Sequence, residues 1–249
     1  MKILKYKKLS SGRYKLELEG SQAVELYEET ILKFELLLKK KIDNLKMIEI
    51  LEYDKEWDVY YVGLKALKDR FKSTQELRDY LIKKEYSYDL VDIVIEKLLK
   101  QGYLNDELFA KSYINNQMIT SSRGPIKLSN ELFSKGIDQS IVSKEILVFT
   151  DELQIEKINK IIRISLKSNR SRGGSVLKNK IINDLIVSGY DLSIINKVIS
   201  DYEFDSNEEI AKKEYEKLYR KYSRKYSGRE LEYKIKEKLY QKGLKYEKD

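Results

Sequence analysis

The sequence predicts a mainly α-helical protein: tandem three-helix repeats in a curved array, preceded by a small N-terminal module that contains a β-hairpin. Three observations carry this expectation. A single proline occurs in 249 residues, so helix can follow helix without a residue that removes a backbone donor. A pattern of aliphatic, aliphatic four later and glycine four beyond returns at nearly constant intervals. The first sixty residues lack it and carry short mixed runs broken by turn residues.

The elements follow in chain order. Lys2–Lys8 and Tyr14–Glu19, separated by Ser10-Ser11-Gly12, read as a hairpin, and Ala23–Leu26 as a third short strand after the Gly20-Ser21 turn. Glu28–Phe34 reads as a brief helix. A longer helix starts after Asp43, a suitable N-cap, covers Leu45–Leu51, and continues after a break into Trp57–Phe71.

Beyond residue 60 the repeat takes over. Its signature is Leu128, Leu132, Gly136; then Ile181, Leu185, Gly189; then Ile235, Leu239, Gly243; with an earlier variant Leu77, Leu81, Glu85. Successive copies stand 51, 53 and 54 residues apart. Residues at i and i+4 share a helix face, so both aliphatics enter a core. Glycine after the last turn allows a left-handed cap.

A further helix precedes each signature: Tyr61–Phe71, Glu107–Ile119, Ile155–Leu166 and Asn207–Tyr222. Another follows each of the first three. Its apolar positions are Leu90, Ile93 and Val94, then Ile141, Ile146 and Leu147, then Ile194, Ile195, Val198 and Ile199. Asp89, Asp138 and Asp191 are candidate caps for these third helices, and Asp106 for the first helix of the second repeat. The expected divisions are a module over 1–59, repeats over 60–104, 105–151 and 152–203, and a partial repeat over 204–249 whose third helix is missing or very short.

Composition limits the chemistry. Cysteine and histidine are both absent, which excludes disulfides, Cys/His zinc sites, histidine general bases and Ser–His–Asp triads. No P-loop spacing occurs, and Ser171-Arg172-Gly173-Gly174-Ser175 follows no expected strand, so it reads as a loop between helices. Paired acids such as Glu28-Glu29 and Glu208-Glu209 sit at helix starts, where the helix dipole favours them. No enzyme activity, cofactor or metal is expected. The N-terminal stretch has no apolar run suited to a signal peptide, and no stretch is suited to spanning a membrane. The expectation is a cytoplasmic monomer.

Charge suggests the partner. Forty-nine Lys and Arg against 41 Asp and Glu give a formal +8, which favours an anionic target. Residues 157 to 183 hold eight basic residues and no acid: Lys157, Lys160, Arg163, Lys167, Arg170, Arg172, Lys178 and Lys180. A second group, Arg220, Lys221, Arg224, Lys225 and Arg229, is interleaved with Tyr219, Tyr222 and Tyr226. Arginines with tyrosines can pair with phosphates and stack on bases. The competing reading is a solvated helix face with half-buried tyrosines.

Three stretches lie in fixed order: Ser73, Glu76-Leu77-Arg78 and Leu81; Gly102-Tyr103-Leu104-Asn105-Asp106 with Phe109-Ala110; and Gly124-Pro125-Ile126-Lys127-Leu128, Glu131-Leu132 and Lys135-Gly136-Ile137. Together they resemble the RecX family, regulatory proteins of the RecA recombinase, best over residues 60 to 200. The start and the partial fourth unit look like additions found in longer members. Lys127 stands where arginine is common, Leu128 where isoleucine is usual, and Glu85 where a glycine fits the repeat. Lysine keeps the charge at 127 without the guanidinium fork.

Apart from the resemblance, Ser73 with Glu76 spells a capping box, Pro125 suits a first helical turn, and Phe109 with Tyr113 share a core-facing stripe. The resemblance implies a regulator that binds the RecA filament in its groove and restrains it, with single- or double-stranded DNA as a further contact. Motif and charge together nominate Arg78, Arg123, Lys127, Lys135, Arg163, Lys167, Arg170, Arg172, Lys178, Arg220 and Arg224 as partner- or DNA-binding residues. The alternatives are a direct DNA-binding helical-repeat protein and a protein–protein scaffold unrelated to recombination.

Overall fold

The computed structural model describes residues 1–20, 22–169, 171–204 and 208–246. The chain divides into two compact units, Met1–Ala110 with Lys135–Asp138, and Lys111–Ser134 with Gln139–Asp249.

The first unit opens with β1 (Ile3–Lys8), β2 (Tyr14–Leu18) and β3 (Gln22–Leu26), an antiparallel sheet in that order. The hairpin expected from Ser10-Ser11-Gly12 forms, with Gly12 at φ +84°. Leu16, Leu18 and Leu26 turn inward onto α1 (Glu28–Lys33) and the first turns of α2 (Asn44–Asp69), where Ile31, Met47 and Ile50 complete a small core. Beside this core the Asp54 carboxylate is buried yet satisfied. It accepts from the Tyr27 N–H at 2.8 Å, the Thr30 hydroxyl at 2.7 Å and Arg13 at 3.4 Å. Such partners offset the cost of taking a polar group out of water.

Asp43 caps α2 as expected, accepting from the Lys46 N–H at 2.7 Å. The break expected after Leu51 is absent. No glycine or proline interrupts 44–62, so one helix runs through residues 59 and 60. Its second half joins α3 (Thr74–Lys83) and α4 (Tyr88–Lys100) around Val59, Leu77, Leu81, Val91, Val94 and Leu98, all fully buried. Burying such side chains contributes about 1.5–3 kcal/mol each. Ser73 and Glu76 form the capping box of α3. Ser87, not Asp89, precedes α4; Asp89 lies in its first turn. Ile93, expected inside, faces solvent.

Helix α5 (Asp106–Thr120) begins in the first unit and continues into the second. Its cap is Asn105, which accepts from the Leu108 N–H at 2.9 Å. Asp106 instead accepts from the Thr74 N–H at 2.8 Å, at the start of α3. Then come α6 (Pro125–Ser134), α7 (Gln139–Glu145) with a short 3-10 turn, α8 (Asp151–Ser168), α9 (Gly174–Val187), α10 (Leu192–Ile199), α11 (Glu208–Tyr222) and α12 (Gly228–Gln241). Asp191 caps α10 as expected. Leu147, expected in the core, is exposed in the 3-10 turn. No helix follows α12 among the described residues.

The signature aliphatics are buried in every copy: Leu128 and Leu132, Ile181 and Leu185, Ile235 and Leu239. Gly136, Gly189 and Gly243 have φ of +75°, +87° and +71°, and Glu85 takes the same left-handed state at +68°.

These turns do more than end a helix. In the first unit, the carbonyl of Lys135, just before Gly136, accepts from the Ser73 hydroxyl at the start of α3, at 2.7 Å. In the second, the carbonyls of Ser188 and Gly189 accept from the N–H groups of Gly124 and Ile126 at the start of α6, at 2.7 and 3.0 Å. Lys242, before Gly243, likewise accepts from the Gly173 N–H at the start of α9, at 3.0 Å. The same turn thus docks three times onto a helix N-terminus, in the last two cases satisfying main-chain donors that the helix itself leaves free. The approach is tight. A methyl group on Gly189 would overlap the Lys127 main chain, and one on Gly243 the Gly173 carbonyl. The Ser171–Ser175 stretch, expected as a plain loop, therefore contains a packed junction.

Candidate partner-binding surface

Helix α11 has two faces. Ala211, Tyr215 and Leu218 enter the core formed with Leu231, Ile235 and Leu239 of α12. Lys213, Lys217, Arg220 and Lys221 line the opposite face, with Arg224 just beyond the helix, and all five are exposed. Spacings of three and four residues put them along one side. Lys213 pairs with Glu209 at 2.5 Å. Lys217, Arg220, Lys221 and Arg224 have no ion-pair partner among the described residues. The tyrosines divide: Tyr222 and Tyr226 pack against the core, whereas Tyr219 keeps 42% of its surface exposed and stacks on Tyr215. One ring, not three, remains for stacking with a ligand.

The basic stretch of residues 157 to 183 spreads over α8, the following turn and α9. Arg163 and Lys167 are exposed on α8, and Arg172 is exposed in the turn, where its N–H donates to the Asn169 side chain at 3.1 Å. Lys178 is half-buried, its ammonium 6.0 Å from the Phe204 ring. Arg170 lies outside the described residues. Lys180 is tied to Asp184. Lys157 turns inward and donates to the Met118 carbonyl at 2.6 Å, closing the C-terminus of α5. Its burial, and then the charge of Lys160, lower its pKa.

Three of the other nominated residues, Arg78, Arg123 and Lys135, are engaged through their side chains within the fold. Arg78 pairs with Asp92. Arg123 donates to Gln117 at 2.8 Å and to Glu131 at 3.2 Å, and Tyr113 reaches the same Glu131 oxygen at 2.7 Å. Lys135 donates to Glu76 at 2.7 Å, adding a side-chain tie beside its carbonyl's bond to Ser73. Lys127 is half-buried, and its main chain lies against Gly189. Much of the Gly124–Gly136 stretch therefore builds the fold, and the cations without an ion pair among the described residues include Arg163 on α8 and Lys217, Arg220 and Lys221 on α11. Lys213 and Lys217 did not stand out in the sequence because acids surround them there. Their spacing from Arg220 and Lys221 was the available signal.

Residues 60–98 match the family description "RecX, first three-helix domain", and residues 105–144 match "RecX, second three-helix domain". A protein of Bacillus subtilis (strain 168) named "Regulatory protein RecX" is 30% identical over 206 residues, covering 83% of this chain and 78% of that protein. The chain belongs to the RecX family. A RecX of Halalkalibacterium halodurans is 29% identical over 225 residues, covering 88% of this chain and 84% of its own. Among solved structures, a crystal structure of regulatory protein RecX superposes with a TM-score of 0.73 at 24% identity, covering 81% of this chain and 99% of that one. RecX from Lactobacillus salivarius gives 0.53 at 27% identity, with coverages of 60% and 97%. The two matched RecX domains correspond to the latter part of α2 through α4 and to the start of α5 through α7. No helix among the described residues is long and apolar enough to cross a membrane.

Proposed function

We propose that this chain is a non-catalytic regulator of the RecA recombinase. It binds the RecA–DNA filament and restrains filament extension, ATP hydrolysis and strand exchange during recombination and repair. The observation that carries this reading is the 30% identity to a regulatory RecX across four-fifths of the chain. The fold is compatible with it: each repeat is small, and tandem repeats give many weak contacts that add when the target is a polymer. The mechanism is occupancy with charge attraction, without bond chemistry. Repeat boundaries at 60, 105, 152 and 204 belong to the same proposal, as do monomeric state and a cytoplasmic location.

The test is RecA ATPase on single-stranded DNA with and without this chain. The reading requires hydrolysis to fall in a dose-dependent way, and unchanged hydrolysis with a folded protein would refute it. Direct DNA binding is the second reading, favoured by the unpaired cations of α11. Tight binding to DNA at physiological salt without RecA would support it, because purely phosphate-driven contacts weaken steeply as salt rises.

A further inference from the structure

The C-terminal turn of α5 and one face of α8 form a groove of about 440 Å³ within the second unit. Ile119 stands on one wall, and Ile161 and Ile164 on the other. Ile119 is 86% exposed and Ile164 58%. Scattered exposed apolar residues are ordinary; here they line opposite sides of one cleft. Tyr190 lies at its base, 2% exposed, with its hydroxyl donating to the Ser122 carbonyl at 3.2 Å. The Lys157 bond to the Met118 carbonyl ties the two walls together, so the cleft is built before any ligand arrives.

Its rim is cationic. Lys157 and Lys160 line it against one acid, Glu156, and Arg163 is exposed next along α8. A cleft with isoleucines on facing walls, hydroxyls of Thr120, Ser121 and Ser122 along one side and a positive rim complements an apolar side chain flanked by carboxylates. Nucleic acid fits it poorly, because among the described residues the one aromatic ring in the lining, Tyr190, is buried and offers no stacking face.

We infer that this groove is the protein-docking site of the chain, receiving a segment that presents an apolar side chain between acidic residues. The inference rests on the filament reading above, in which the segment belongs to the recombinase. It also divides the labour: α8 and the end of α5 hold protein, and the α11 face holds phosphates.

The test compares the unmodified chain with the double variant Ile119→Gln/Ile164→Gln and the single variant Lys160→Glu. Binding to RecA–single-stranded DNA filaments is read by co-sedimentation, and binding to the same DNA alone by anisotropy, with thermal melts of each variant. The inference requires both variants to bind filaments at least tenfold more weakly while DNA binding changes less than twofold. Filament binding unchanged in the two folded variants would overturn it. So would a parallel loss of DNA binding, which would make the groove a nucleic-acid site. If the unmodified chain fails to bind filaments, the filament reading falls, and the groove's assignment falls with it.

Discussion

Arg123 stands between α5 and α6 with its guanidinium held by Gln117 and Glu131. Arg220 stands exposed on α11 and forms no ion pair among the described residues, although Glu216 lies four residues earlier on the same face. Both occur in basic, helical sequence, and both were nominated as partner contacts. The difference lies in what the fold needs nearby. Arg123 sits where a turn must dock onto a helix start, and its neighbours are polar groups that require a partner. Arg220 lies opposite a complete apolar face, so nothing in the core needs it. A cation already engaged at a junction contributes to stability; a cation left over is available to a ligand.

The sharpest way to break this contrast is at the junction itself. Gly189→Ala would put a methyl group into the Lys127 main chain at φ +87°. We expect a loss of roughly 3 kcal/mol, read by urea denaturation. A loss below 1 kcal/mol would mean that the turn has room to move. Arg123→Met comes next. It removes two hydrogen bonds from a partly exposed group, and a loss of about 1 kcal/mol is expected in the same assay; no loss would mean that Arg123 is not a structural clamp.

Glu85→Gly should act in the opposite direction. It relieves a side chain from the left-handed state at φ +68°, and a gain of about 0.5 kcal/mol is expected after the extra freedom of unfolded glycine is counted. A melting temperature that falls would contradict it. The smallest effect concerns acid. Burial opposes the charge on Glu76, but Lys135, the Ser73 N–H and Arg70 outweigh it, and the carboxyl sits below its ordinary value. A lowered folded pKa gives stability that is present above the unfolded Glu value, near 4.5, and is lost as pH falls through the folded value. Lys135→Met should flatten that part of the stability–pH curve below pH 5, and a curve of unchanged slope would rule the tie out.

Local rules were the legible part of the fold. The i, i+4 aliphatics with their following residue locate four helix ends, and Ser73 with Glu76 announces its own cap. Single-residue assignments failed where two candidates lay close together, as when Asn105 took the cap expected of Asp106 because Asp106 was needed by Thr74, 32 residues earlier. The junctions were not legible, since Lys135 meets Glu76 across 59 residues and Ser188 meets Gly124 across 64. For the candidate surface, sequence found the basic stretches. It could not sort outward charge from charge already paired, because pairing is set by those distant contacts.

The most direct test of that sorting is the salt dependence of single-stranded DNA binding, measured for the fourfold variant Lys217→Gln, Arg220→Gln, Lys221→Gln, Arg224→Gln beside Arg123→Met. If the outward α11 charges carry the phosphate contacts, the fourfold variant keeps its stability within about 0.5 kcal/mol. It also loses roughly two to three units from the slope of log K against log salt, whereas Arg123→Met keeps the slope. An unchanged slope in the fourfold variant, or an equal drop in a folded Arg123→Met, would contradict the account.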